Sequence, residues 1–323
     1  MEKMKSIIED KIDMCINTRH TIGKYGLFFV FVLICLILSL MSPAFLNSRN
    51  LINVIRQISI NGILALGVTY VIITGGIDLG LGSYVAFTGC IAAIADQMMG
   101  TPSPVPILIG LLAGIIIGGL NGFIITKGKV APFIVTLGMM TIARGGALLI
   151  TRGRPVSGLS DYFLYLGNGV ILGIPVPIII LAVVLIISII LLNQTKLGLY
   201  IYAIGGNEEA SRASGIKTNR LKLFVYMLCG ALSGLAGIIQ AARINTGQPN
   251  IGTGYELDAI TAVIVGGTSL SGGVGTASGT ILGALIIGVI NNGLDLLNVS
   301  SYYQQVIKGL IIIGAVLLDR KKS

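Results

Sequence analysis

The sequence predicts an all-α protein: a polytopic transmembrane helical bundle of about ten spans, with broken helices and a weak parallel internal repeat. Three observations predict it. Hydrophobic residues make up 54% of the 323 residues and charged residues only 11%, against roughly 25% charged in soluble domains. Mean hydropathy is +0.92. Charge-free runs cover residues 25–48, 57–77, 79–95, 97–126, 162–195, 223–242 and 259–294. A helix needs about 20 apolar residues to cross about 30 Å of hydrocarbon, and only helices or closed barrels satisfy their backbone polar groups there. The runs lack the period-2 alternation of a barrel strand, so they are helices.

In chain order the spans are expected at 27–46, 51–73, 83–100, 105–126, 131–150, 174–192, 222–242, 257–270, 275–292 and 302–318. The first is read as retained rather than as a secretory signal. The segment before it is long and carries acids, and Ser42-Pro43-Ala44-Phe45 offers no small-residue cleavage site. The runs at 162–195 and 259–294 can each hold a crossing plus a loop or a broken helix. The organisation expected is a cytoplasmic tail over 1–26, a membrane domain over 27–318 with a cytoplasmic loop at 193–222, and a cytoplasmic tail over 319–323.

Charge sets the orientation. With the N-terminus inside, 15 of the 22 basic residues fall on inner segments, whereas only Arg49, Arg152, Arg154 and Arg243 fall outside. That asymmetry supports both termini in the cytoplasm. Arg56, Arg144 and Lys308 lie within spans. The formal charge of +9 therefore reports topology and not nucleic-acid affinity.

Residues 71–83, VIITGGIDLGLGS, and 263–275, VIVGGTSLSGGVG, share an apolar run followed by Gly-Gly-x-x-Leu. Both turns face the same side in this topology, which makes the repeat parallel. Glycines also recur once per helical turn, at Gly110, Gly114, Gly118 and Gly122, at Gly275, Gly279 and Gly283, and at Gly230 and Gly234. Such ridges let helix backbones approach closely where lipid supplies no hydrophobic drive.

Asp78 stands between two long apolar runs, beside Gly75 and Gly76. A carboxylate at mid-bilayer costs roughly 2.5–3.5 kcal/mol on insertion scales. It is therefore either a gate or path-lining element, or a helix N-cap at the cytoplasmic surface. Asn61, Thr69, Asn121, Thr136, Thr141, Gln240, Asn291 and Asn292 stand out among the few polar residues within the other apolar runs. They can hydrogen-bond across helices or meet a polar solute. Asn61, Gly75, Gly76, Asp78, Asn121, Gly266, Gly267 and Asn291 are the path or gate candidates.

Catalytic, metal-ligating and cofactor-binding motifs are not found. Cys15, Cys35, Cys90 and Cys229 lack metal spacing, and His20 has no partner motif. Gly23-Lys24-Tyr25 and Gly128-Lys129-Val130 lack the Ser or Thr of a P-loop, so any ATP chemistry belongs to another chain. Asp78 is the one serious candidate for an intramembrane relay, which weakens an ion-coupled mechanism. The loop 193–222 should hold one short exposed helix: Asn207 suits its N-cap, Glu208 and Glu209 its positive end, and Gly215 its stop.

With these residues in view, the sequence resembles the ribose-type ABC transporter permeases, the inner-membrane subunits serving ribose, xylose, galactose and related sugars. Residues 205–216 resemble that family's coupling-helix segment, and Glu209-Ala210-Ser211 with Gly215 resembles the broader importer E-A-A…G pattern, with Ser in place of the third residue and without its hydrophobic tail. Ile72–Ser83 and Val265–Thr276 resemble the family's glycine–aspartate and glycine-pair segments. The likeness spans about 45–320. It implies a non-catalytic permease working with a cytoplasmic ABC ATPase subunit or tandem ATPase, an extracytoplasmic sugar-binding protein and a second permease copy in the bilayer of the cell membrane. Gly206, Asn207, Glu208, Glu209, Ala210, Arg212 and Gly215 would then meet the ATPase. Arg49, Arg152, Arg154 and Arg243 become docking candidates for acids on the binding protein, on charge alone. Branched-chain amino acids or nucleosides are the alternative cargo. An ion-coupled secondary carrier is the alternative of another class.

Overall fold

A helix that is apolar on every face belongs inside a bundle rather than at its rim, and the run at 57–77 is of that kind. The computed structural model describes residues 26–100 and 103–320, so the N-terminal tail with Cys15 and His20, and residues 321–323, lie outside the described residues. The helices are α1 (Gly26–Met41), α2 (Ser48–Ile73), α3 (Leu81–Met99), α4 (Val105–Gly128), α5 (Pro132–Thr151), α6 (Asp161–Asn168), α7 (Val176–Gln194), α8 (Lys196–Gly206), α9 (Glu208–Ala213), α10 (Thr218–Ile244), α11 (Tyr255–Val265), α12 (Ala277–Leu296) and α13 (Ser301–Arg320). Every residue of α2 from Ile58 to Ile73 is buried, and α7, α10, α11 and α12 pack around it. At one end, Leu38 of α1 joins Phe45, Val54, Ile58 and Val289 in a smaller cluster.

Lipid is as apolar as leucine, so helix association rests on van der Waals packing and interhelical hydrogen bonds. The glycine ridges of α4 and α10 supply the packing by facing each other. A Cβ on Gly114 or Gly230 would strike the other's carbonyl oxygen, and one on Gly122 would come within 2.9 Å of the Leu223 Cα. The third ridge is corrected by the structure. Gly279 and Gly283 of α12 press on the backbone of Gly266 and Ala262, but α12 starts at Ala277, so Gly275 lies in the preceding loop. Of the polar residues within runs, Thr69 bridges to Thr280 at 2.8 Å and Asn292 donates to Asn50 at 2.8 Å. Such bonds average roughly 0.6 kcal/mol each. Thr136 and Thr141 bond only to carbonyls of their own helix.

Among the described residues, six helices, α2, α4, α5, α7, α10 and α12, are long and apolar enough to cross a membrane, and α1 and α13 contain shorter apolar stretches. The expected crossing at 257–270 is not continuous. α11 has 11 residues, rising about 16 Å, half the hydrocarbon thickness. Gly254 (φ +85°) begins it and Gly267 (φ +91°) follows its end. The ten spans expected therefore include at least one half-helix, and their number is not confirmed.

The loop expected at 193–222 is mostly helical. α8 occupies Lys196–Gly206, and α10 begins at Thr218. The expectation of a single helix there missed α8, because its apolar positions alternate with Lys196, Tyr200 and Tyr202 too briefly to show a period. At the other end of the bundle, α6 lies over the C-terminus of α10, where Asn168 Nδ2 donates to Ala242 O at 2.9 Å. Two short antiparallel ladders cover the same end. In one, β1 (Val156–Ser157) pairs with β4 (Thr246–Gly247), and in the other β2 (Val170–Ile171) pairs with β3 (Ile174–Pro175).

Candidate functional site

The short helix α9 is built as its sequence requires. Asn207 Oδ1 accepts from Ala210 N at 2.9 Å, Ser211 Oγ donates back to Asn207 O at 2.8 Å, and Gly215 stops the helix at φ +86°. Glu208 fixes it to the bundle: Arg212 donates to Glu208 at 3.1 Å and Lys222 of α10 donates to its other oxygen. Burial pushes the Glu208 carboxyl up, but the hydrogen bond and charge of Lys222 and the charge of Arg212 outweigh it and hold the group below the usual glutamate range. Glu209, Ala210 and Arg212 are exposed, as are Gly206 and Asn207. Open clefts of about 560 and 530 Å³ flank α9, lined by Lys127, Lys217 and Arg220 on one side and Lys129, Asn219 and Lys222 on the other. The predicted coupling residues therefore divide. Glu208 anchors the stub, and the rest present a solvent-facing surface.

Directly before α9 the backbone reaches the core. The two halves of the sequence repeat adopt one turn: Gly75 N donates to Ile72 O and Gly76 N to Val71 O, while Gly267 N donates to Ile264 O and Thr268 N to Val263 O. Gly75 and Gly267 both take positive φ, +75° and +91°, which glycine adopts without steric cost. The structural register therefore matches Gly75 to Gly267, one residue off the Gly-Gly pairing read from sequence. The first turn touches the loop that follows the second, through Gly273 N donating to Ile73 O at 2.9 Å. Gly205 of α8 fills the remaining corner. A Cβ there would run into Ile73 O and Gly273 N, whereas one on Gly206 would meet nothing within 4 Å. Tyr202 OH donates to Gly275 O at 2.7 Å and ties α8 to the same loop. Gly205, Tyr202 and Gly273 were not singled out from sequence, since close approach of three backbones leaves no local pattern.

Asp78 is 0% exposed. It is not a surface N-cap: Gly80 holds the cap position of α3. Residues 76–80 are non-helical and tuck beneath α3, so the carboxylate turns inward. Oδ1 accepts from Gly80 N at 2.9 Å and from Tyr84 OH at 3.1 Å, Asn121 Nδ2 donates to that hydroxyl oxygen at 2.7 Å, and Oδ2 has no hydrogen-bond partner. The structure brings two path candidates, Asp78 and Asn121, together through Tyr84, but seals them in protein. Asn61 is buried in α2 beside Gly62, which abuts Leu181 and Ile281. Asn291 donates to Asp258 Oδ2 at 3.2 Å, and Lys308 Nζ donates to the same oxygen at 2.9 Å. This ion pair escaped the sequence reading, although Lys308 stood within a span, because its partner comes from another helix 50 residues away.

Arg49, Arg152 and Arg154 are exposed; Arg243, at the C-terminus of α10, is half-buried with its backbone under Gly167. Among the described residues, Cys90 and Cys229 are buried free thiols and Cys35 is half-buried.

The family model described as branched-chain amino acid transport system / permease component matches residues 50–316. The chain belongs to this permease family. Among curated proteins, this permease is similar to the ribose import permease protein RbsC of Bacillus subtilis (strain 168), with 50% identity over 93% of this chain and 94% of that one. The ribose import permease protein RbsC of Escherichia coli (strain K12) is 49% identical over 89% and 90%. The D-allose transport system permease protein AlsC of Escherichia coli (strain K12) is 38% identical over 92% and 91%. No solved structure matches this permease significantly.

Proposed function

We propose that this permease is the membrane-spanning subunit of an ATP-driven sugar importer in the cell membrane, with a pentose such as ribose as cargo. The observation that carries the proposal is the stub α9. It is capped and anchored, its outer face is free, and Gly205, three residues ahead of it, packs against Ile73 O of the first repeat turn and Gly273 of the loop that follows the second. A push on α9 therefore reaches α2, α11 and α12 without passing through a flexible linker. Half identity to ribose import permeases supports the sugar, over the amino-acid cargo in the family's description.

A cytoplasmic ABC ATPase subunit or tandem ATPase docks on Asn207, Glu209, Ala210 and Arg212. Both termini lie in the cytoplasm, with the tails at 1–26 and 319–323. A sugar-binding protein delivers cargo to the opposite end, where Arg49, Arg152, Arg154 and Arg243 attract its acids. Charges of this kind govern encounter rate more than affinity. A second permease copy completes the pathway. ATP binding moves the stubs and opens the path outward, and hydrolysis resets it, with no covalent chemistry on the sugar.

Glu209→Lys tests the docking face. It leaves the Glu208 anchor intact, so the chain inserts normally, and ATPase retention on the purified permease falls about tenfold, equal to about 1.4 kcal/mol. Normal retention together with normal D-ribose uptake in vesicles would remove α9 from the interface.

A further inference from the structure

We propose that the cleft between the N-terminus of α11 and one face of α13 is a water-filled station on the transport path, which contacts the sugar through its hydroxyl groups. The inference rests on the sugar-import reading above and names where cargo touches this chain.

α13 is two-faced along its length. Ser301, Gln304, Gln305, Lys308 and Ile312 fall on one side of the helix at one-turn spacing. The exposed apolar residues Tyr303, Val306, Leu310, Ile313 and Leu317 fall on the other. The apolar side suits lipid. The polar side cannot, because a charged side chain at mid-bilayer costs roughly 2.5–3.5 kcal/mol. It faces instead a cavity of about 520 Å³, closed opposite by Thr253, Gly254, Glu256 and Leu257, within the range of about 300–1,000 Å³ usual for small-molecule sites.

The backbone points to the same place. The stretch 245–254 before α11 is irregular, apart from the short strand β4. It is held from behind by Arg144 Nη1, which donates to Pro249 O at 2.6 Å and Ile251 O at 2.7 Å. Irregular backbone at membrane depth is tolerated where it is buried in protein or lines a water-filled cavity, and a broken helix whose N-terminus opens on such a cavity is a recurring substrate site in transporters. A second observation lies one layer deeper, in a small gap among Asp258, Thr261 and Lys308: Asn291 Oδ1 is buried there with no hydrogen-bond partner.

The lining identifies the class of ligand. Glu256, whose Oε1 already accepts from Gly254 N at 3.2 Å, offers its remaining lone pairs, Lys308 donates, and Gln305, Ser301 and Thr253 do both. A neutral polyol, whose hydroxyls both donate and accept, matches that mixture. Lys308 is already neutralised by Asp258 at 2.9 Å, so the cleft has no free cation for an anionic cargo. Contacts shared with water keep the station weak, as a path that must release its cargo requires.

The test uses the complete transporter in vesicles, in a background where the native cysteines are replaced, with single cysteines introduced as Gln305→Cys, Thr253→Cys and Leu310→Cys. A membrane-impermeant, water-soluble methanethiosulfonate reports exposure to water. Gln305→Cys and Thr253→Cys should react at least about tenfold faster than the lipid-facing Leu310→Cys, and saturating D-ribose should slow both while equimolar sodium glutamate does not. Slow labelling at both sites, as when a second copy seals the cleft dry, overturns the proposal. Fast labelling that D-ribose leaves unchanged overturns it too, since the cleft would then hold water only. ATP-driven D-ribose uptake by the cysteine-free parent in the same vesicles separates the two readings: uptake without protection sinks this site alone, and absence of uptake sinks the sugar-import reading.

Discussion

Gly205→Ala should reduce ATP-driven uptake by about 10- to 100-fold in a chain that still inserts. The new methyl group would occupy the space of Ile73 O and Gly273 N and lie about 3.0 Å from the Gly273 Cα. These are backbone atoms, so no side chain can swing aside to relieve the clash. Either α8 withdraws from the end of α2, or the Gly273–Ile73 hydrogen bond opens and strands the buried Ile73 carbonyl at about 1–3 kcal/mol. Both outcomes part the stub from the turns that it is proposed to move. Gly138→Ala on α5, whose Cβ would meet nothing within 4 Å, controls for the general effect of a glycine-to-alanine change. Uptake and ATP hydrolysis measured together separate the cases. Uncoupling leaves hydrolysis running while uptake falls. Wild-type uptake in Gly205→Ala would show that motion does not pass through this junction.

Breaking the pair between α11 and α13 is the second large effect. Asp258 is 6% exposed, and its Oδ2 takes donors from both Lys308 and Asn291. Lys308→Met leaves that carboxylate with an amide alone and should cost about 3 kcal/mol, in the range for an uncompensated buried charge. Asp258→Asn leaves instead an ammonium that is 31% exposed on the cleft, where water solvates it, and should cost less, about 1 kcal/mol. The double variant should recover most of the loss, because a buried pair replaced together is close to neutral. Thermal unfolding of the purified permease in detergent reads all three. Additive losses in the double variant would mean that the two side chains act separately.

What could be read beforehand follows from how local each feature is. α2, α4, α5, α7, α10 and α12 announce themselves by length and apolarity, and α9 by a cap, two acids and a glycine stop within nine residues. The α4 and α10 ridges were visible as four-residue periods, though not that they face each other. A broken helix within 259–294 was open from sequence, but the end of α11 was not, because its apolar run continues into Gly266 and Leu270 and hydropathy does not record where a backbone turns. Asp78 was conspicuous as a lone charge, yet its burial depends on Tyr84 of α3 and Asn121 of α4. Gly205 was one of 45 glycines, and nothing near it in sequence marks the approach of Ile73 and Gly273.

The central claim is that this helical bundle takes its motion from an engine docked on α9. The direct measurement is accumulation of D-ribose in sealed vesicles, with the permease reconstituted alone or with its ATPase and binding protein. The account predicts uphill accumulation only when both partners and ATP are present, and its loss when the ATPase is omitted. Uphill accumulation by the purified chain alone, driven by an ion gradient, would contradict it.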